Sequence, residues 1–143
     1  MSRKYQRFVS AEDDELKRIK ERKLKELTQQ RENKQKMITK PAHVTDATFN
    51  KAVQENKLAI IDCWASWCGP CMVLAPTIDA LAKEYAGKVF IGKLDVDENP
   101  KTAEQFQVFS IPTLLIMKDG AEVDRVVGLC QKNYIEDKLK KHL

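Results

Sequence analysis

From Val44 onward the chain alternates between short apolar runs and stretches of helical period, and this alternation restricts the fold more than any other feature. Leu58 to Trp64 is an apolar run of buried-strand length. A helical pattern extends from about Cys68 to Tyr85 and ends near Gly87, a residue suited to the left-handed position after a helix. Val89 to Leu94 reads as a second strand. Asn99-Pro100 is an N-cap followed by proline at the first helical position, opening a short helix to about Gln107. Thr113 to Met117 is a third strand, and Lys118-Asp119-Gly120 predicts a hairpin turn into a fourth, Val123 to Val127. A short helix over about residues 46–55, capped by Thr45 or Asp46, precedes these elements. Gln131 to Leu143 closes the sequence as an amphipathic helix, with Tyr134, Ile135 and Leu139 facing inward. Strands separated by helices and ending in a hairpin imply an α/β domain, a mixed sheet covered by helices on both faces.

Ahead of this domain lies a stretch of different character. Residues 1–40 carry thirteen Lys/Arg against seven Asp/Glu, whereas residues 41–143 carry twelve against fourteen. The formal charge of +4 and the pI of 8.8 therefore belong to the N-terminal arm. The arm reads as helical from about residue 11 to 36, with Ser10 and Asp13 resembling a capping box and acids crowding the first turn. Acid-to-base pairs four residues apart (Asp13–Lys17, Asp14–Arg18, Glu21–Lys25, Glu32–Lys36) support that helix, each by about 0.2–0.5 kcal/mol. Leu16, Ile19, Leu24 and Leu27 form one thin apolar stripe, and Pro41 ends the pattern. Acids interleave with bases throughout, so the arm reads as a solvated helix or flexible extension before a partner or dimer helix. Contact with nucleic acid or a membrane comes last. No apolar run approaches the ~20 residues of a membrane span, and no signal-peptide core precedes the domain. The default address is the cytoplasm.

Four cysteines, Cys63, Cys68, Cys71 and Cys130, without an export signal point to redox or metal chemistry rather than a disulfide scaffold. Trp67-Cys68-Gly69-Pro70-Cys71 falls where a strand gives way to a helix. Cysteines three apart across a first helical turn can reach disulfide distance. The helix N-terminus, with its unpaired N–H groups and positive dipole end, stabilises a thiolate and lowers the first cysteine's pKa. Pro70 costs little there, since its missing N–H would have no intrahelical partner. Cys68 is placed as the exposed nucleophile and Cys71, one turn deeper, as the resolving thiol.

The stretch Asp62-Cys63-Trp64-Ala65-Ser66-Trp67-Cys68-Gly69-Pro70-Cys71 resembles the active-site segment of the thioredoxin family. Pro76, Lys93-Leu94-Asp95-Val96-Asp97, Ile111-Pro112-Thr113, Gly120 and Gly128 extend the resemblance from about Val44 to the C-terminus. It implies a thioredoxin fold over residues 41–143 and a thiol–disulfide oxidoreductase that reduces protein disulfides. An oxidase or isomerase is the alternative, disfavoured because Gly69-Pro70 resembles the reducing members; a redox domain tethered by its basic arm is another. The resemblance implies that Asp62 is a buried carboxylate accepting the proton of Cys71, and that Lys93 tunes this transfer. It implies a cis bond before Pro112, backbone pairing of Ile111 with an extended substrate segment, and an apolar rim of Trp64, Trp67, Ile111, Gly128 and Leu129. For Trp64, core packing stands beside that reading. The implied partners are protein disulfides and a thioredoxin reductase or equivalent electron donor. The expected chain is a monomer needing no cofactor beyond a redox-active Cys68–Cys71 disulfide. Cys63 is expected to point away from Asp62 into the core, and Cys130 to be a partly buried thiol. With only Cys68 and Cys71 at ligand spacing and no nearby histidine, no metal site is expected.

Overall fold

The computed structural model describes residues 3–37 and 39–143, with side chains described over 13–30 and 39–143. The chain divides between Lys36 and Met37 into two units. The first is occupied by one helix, α1 (Arg3–Met37), whose last residue falls past the division. It starts before the expected residue 11, because Arg3 to Val9 contain neither glycine nor proline to stop it. Ser10 therefore lies inside the helix; its side chain, like those of Glu32 and Lys36, is outside the described residues. Leu16, Leu24 and Leu27 are exposed. Among the described residues no helix is long and apolar enough to cross a membrane.

The second unit is built on five strands: β1 (Ala42–His43), β2 (Leu58–Trp64), β3 (Phe90–Asp95), β4 (Thr113–Lys118) and β5 (Ala121–Val127). Their order is β1-β3-β2-β4-β5. β1 and β2 run parallel to β3, while β2–β4 and β4–β5 are antiparallel, so the sheet is mixed. The hairpin between β4 and β5 has Asp119 at φ 53° and Gly120 at φ 83°, two positive values that a two-residue primed turn requires. This explains the Asp-Gly pair.

Four helices complete the domain: α2 (Phe49–Glu55), α3 (Gly69–Glu84), α4 (Pro100–Gln105) and α5 (Lys132–Lys140). Strand alternation sends Leu58 and Ile60 of β2 to a core shared with Leu74, Ile78 and Leu81 of α3 and Ile135 and Leu139 of α5. Ala59, Ile61 and Cys63 join Phe49 and Val53 of α2 on the opposite face. Gly92 sits mid-strand in β3 for a steric reason: a Cβ there would stand 2.7 Å from Val44 Cγ2 and 3.1 Å from Ile61 Cδ1.

Three local expectations need correction. α2 starts at Phe49 rather than 46, and Asp46 does not cap it. Thr45 does cap the turn leading into it, its hydroxyl accepting the Thr48 N–H at 3.3 Å while Thr48 Oγ1 accepts the Thr45 N–H at 2.9 Å. The Asp46 carboxylate instead accepts from the N–H groups of Lys101 (3.2 Å) and Thr102 (2.8 Å) and from the Thr102 hydroxyl (2.7 Å). It thereby satisfies the free N-terminal donors of α4. Asn99 precedes that helix but its side chain accepts from Asp46 N and donates to Asp95 O, without capping. Tyr134 of α5 is half exposed, with Lys138 Nζ 5.6 Å from its ring centre, rather than inward.

Candidate active site

β2 ends at Trp64, and the turn that follows closes with Cys68 N–H donating to Ala65 O at 3.1 Å. Cys68 is the N-cap of α3, and its sulfur accepts the Cys71 N–H at 3.2 Å. The sulfur thus occupies the place a serine or aspartate oxygen holds at other helix starts. Pro70 lies in the first turn, where no N–H is missed. Cys68 and Cys71 form a disulfide with a Cα–Cα separation of 5.2 Å. A Cβ at Gly69 would meet nothing within 4 Å, so that position opens to solvent. The expectation of an exposed Cys68 fails in the disulfide form: Cys68 is 4% exposed and Cys71 3%. Both pack in one small cluster with Ala65, against which Trp64, Val96 and Ile111 lie.

Asp62 is buried on β2. Alternation places it on the α3/α5 face with Leu58 and Ile60, away from Cys63. Its Oδ1 has no hydrogen-bond partner, and burial raises its pKa from 3.8 to about 6, with the Lys93 charge opposing the rise. Lys93 is the register partner of Asp62 across the parallel β2–β3 pair, and its Nζ lies 4.7 Å from the centre of the Trp64 ring. Trp64 is only partly exposed, packed on the cysteine cluster beneath Lys93, so it belongs more to the core than to a rim.

The Ile111–Pro112 bond is cis. The Thr113 hydroxyl donates to Ser110 O at 2.6 Å, and Gly128 N–H donates to Pro112 O at 2.8 Å. Gly128 has φ 89°, a left-handed conformation that glycine adopts freely. That bond joins the segment before β4 to the segment after β5, which carries the exposed Leu129. Trp67 is 70% exposed, and its indole N–H donates to Asp97 Oδ2 at 2.7 Å.

Residues that the sequence left without a role include Asp97, which holds the Trp67 indole, and the exposed Met72 and Val73, which follow Cys71 on α3. Asp97 was visible only as part of Asp95-Val96-Asp97; the indole it meets is thirty residues away. The other two thiols stand apart from this chemistry. Cys63 is fully buried, and burial, then the Asp62 charge, push its thiol up to about 12. Cys130 is partly buried against the α3/α5 core, and burial raises its pKa.

The family model described as Thioredoxin matches residues 40–141. Thioredoxins from several Staphylococcus aureus strains, among them MW2 and COL, are 52% identical over 100 residues, covering 70% of this chain and 95% of theirs. A variant thioredoxin from Halobacterium salinarum NRC-1 superimposes with a TM-score of 0.69 at 31% identity, covering 73% of this chain and 92% of that one. With a redox-active disulfide at the start of α3 in the second unit, this chain belongs to the thioredoxin family.

Proposed function

We propose that the chain is a thiol–disulfide oxidoreductase that reduces protein disulfides, with Cys68 attacking and Cys71 resolving. The observation carrying this reading is the Cys68–Cys71 disulfide at the N-terminus of α3, with Cys71 N–H directed at Cys68 Sγ. In the reduced protein that N–H and the helix dipole stabilise a Cys68 thiolate. The thiolate attacks one sulfur of a substrate disulfide. A Cys68–substrate bond forms, and the other substrate sulfur leaves with the electron pair. Cys71 then loses its proton to the Asp62 carboxylate and attacks Cys68 Sγ, releasing the second substrate thiolate and restoring the Cys68–Cys71 disulfide. Two electrons have passed to the substrate, carried by the protein's own sulfurs without a further cofactor.

Asp62 suits the proton-accepting role because burial has moved its pKa toward neutrality. Lys93 adjusts that value from the neighbouring strand. Ile111, which packs on the cysteines beside cis Pro112, offers backbone to an extended substrate segment, and exposed Trp67 and Leu129, with Gly128, supply apolar contact surface. A thioredoxin reductase or equivalent dithiol donor returns the electrons. This chemistry suits a reducing compartment such as the cytoplasm.

The test is a redox titration of the full chain in defined dithiol/disulfide buffers, followed by tryptophan emission. A midpoint near −270 mV, the value characteristic of thioredoxins, is expected. A midpoint near −120 mV would identify an oxidant and overturn the reductase reading.

A further inference from the structure

We infer that Trp64 is a positioning residue for the resolving step: the face of its indole seats the Lys93 ammonium beside Asp62 and keeps the two from closing into an ion pair. The inference rests on the reductase reading and adds to it the group that governs the proton acceptor. Asp62 and Trp64 are two apart on β2, and Lys93 on β3 is the register partner of Asp62, so all three lie on one face of the sheet. A lysine in that position has two partners in reach, the carboxylate directly across and the ring one step further along the strand. Lys93 takes the ring, with Nζ 4.7 Å from its centre. Asp62, 1% exposed, is left with Oδ1 lacking any hydrogen-bond partner.

Two properties of the ring suit it to this task. It packs on the cluster of Ala65, Cys68 and Cys71, and its Nε1 is buried without a partner, so packing rather than a polar tie sets where the face lies. The face attracts a cation while the rest of the ammonium keeps its water, whereas an ion pair with the buried carboxylate would strip water from both groups. The neighbouring charges do not take the place of Lys93. Asp95, next on this face of β3, has its Oδ1 on the Asp97 N–H, and His43 opposite Lys93 is exposed on β1. β4 sets Leu114 opposite Asp62, Cys63 points to the other face, and α3 and α5 contribute apolar side chains to the core on this side, with Cys71 the titratable group of α3 once reduced. Lys93 is the charge that acts on Asp62, opposing the effect of burial. Seated on the ring, it moderates the carboxylate without neutralising it.

The test follows the Asp62 carboxylate of the full chain in its disulfide form by carbon NMR across pH, in wild type, Trp64→Leu, Lys93→Met and the double variant. Trp64→Leu frees the ammonium to close on the carboxylate, so the Asp62 midpoint is expected to fall by about one pH unit, the low end of the effect of an adjacent opposite charge. In the Lys93→Met background the same change should leave the midpoint nearly unmoved. Trp64→Phe keeps a smaller face, should fall by less, and supplies the same comparison if the leucine variant does not fold. In the reduced protein the pH inflection of mixed-disulfide resolution should move with the NMR midpoint. A midpoint unchanged or raised in Trp64→Leu would overturn the role of Trp64. A fall that persists in Lys93→Met would overturn it as well, since it would come from hydration of the site and not from the ammonium. Failure of wild type to reduce a disulfide-linked peptide would instead overturn the reductase reading, and the Asp62 titration would still judge the Trp64–Lys93 seat.

Discussion

The indole N–H of Trp67 donates to the Asp97 carboxylate at 2.7 Å, fastening the residue before Cys68 to the loop after β3. Without it, a side chain 70% exposed would have no polar anchor at its outer end. Asp97→Ala should release the ring. Because the bond is exposed, the cost in global stability is expected to be at most about 1 kcal/mol. The readout is local: faster depolarisation of Trp67 emission in a Trp64→Phe background, with little change in thermal midpoint.

Asp62 gives the molecule a pH dependence of defined sign. Its folded pKa of about 6 lies above its ordinary 3.8, so the folded state holds a proton that the unfolded state releases between those values. Stability therefore falls as pH rises from about 4 to about 6, and the cost is fully present above that. The difference corresponds to about 3 kcal/mol. Asp62→Asn, neutral throughout, should be more stable than wild type at pH 8 by up to that amount, with the gain vanishing near pH 4. Denaturant unfolding of the disulfide form at the two pH values checks this. The same variant should slow the Cys71 step by about 100-fold or more at neutral pH, measured as mixed-disulfide lifetime.

Asp46 shows the opposite linkage. Burial works to raise its pKa, but the Thr102 hydroxyl and the N–H groups of Thr102 and Lys101 outweigh it, and the net shift is downward. Its contribution is present above the ordinary 3.8 and is lost as pH falls through the lower folded value. Asp46→Ala should cost about 1–2 kcal/mol at pH 7, the range of a lost helix cap, and less in strong acid. Urea midpoints across pH would show it.

Gly92→Ala places a methyl group 2.7 Å from a branched, buried Val44 side chain that has little room to turn. Overpacking of this kind costs about 1–3 kcal/mol. Val44→Ala in the same chain should recover part of the loss, so the two changes are expected to be non-additive in thermal unfolding.

Elements whose cause is local were legible in the sequence. β2 announced itself as an unbroken apolar run, α3 through its proline and its glycine stop, and the β4–β5 turn through Asp119-Gly120. Features made by distant partners were not. β1 is two residues long and exists through its pairing with Gly92 and Lys93, which no periodicity can reveal. Asp46 resembled a local cap because it precedes a helix, yet its partners lie fifty-five and fifty-six residues away. In the site, Cys68 and Cys71 followed from spacing alone. Asp62 and Lys93 acquired significance through a family resemblance, and their adjacency emerged only from strand register.

The central place of β2 has a consequence for how the molecule breathes. β2 alone has a parallel neighbour on one side, an antiparallel neighbour on the other and a packed layer over each face. Partial openings start at edges, so the amide protons of β1 and β5 are expected to exchange through small fluctuations, and those of Ile60 to Cys63 only on global opening, which hydrogen exchange would read. The cysteines hang from the end of that strand. The covalent link that must open and close in every turnover is thus mounted on the segment whose hydrogen bonds are expected to be the last to open.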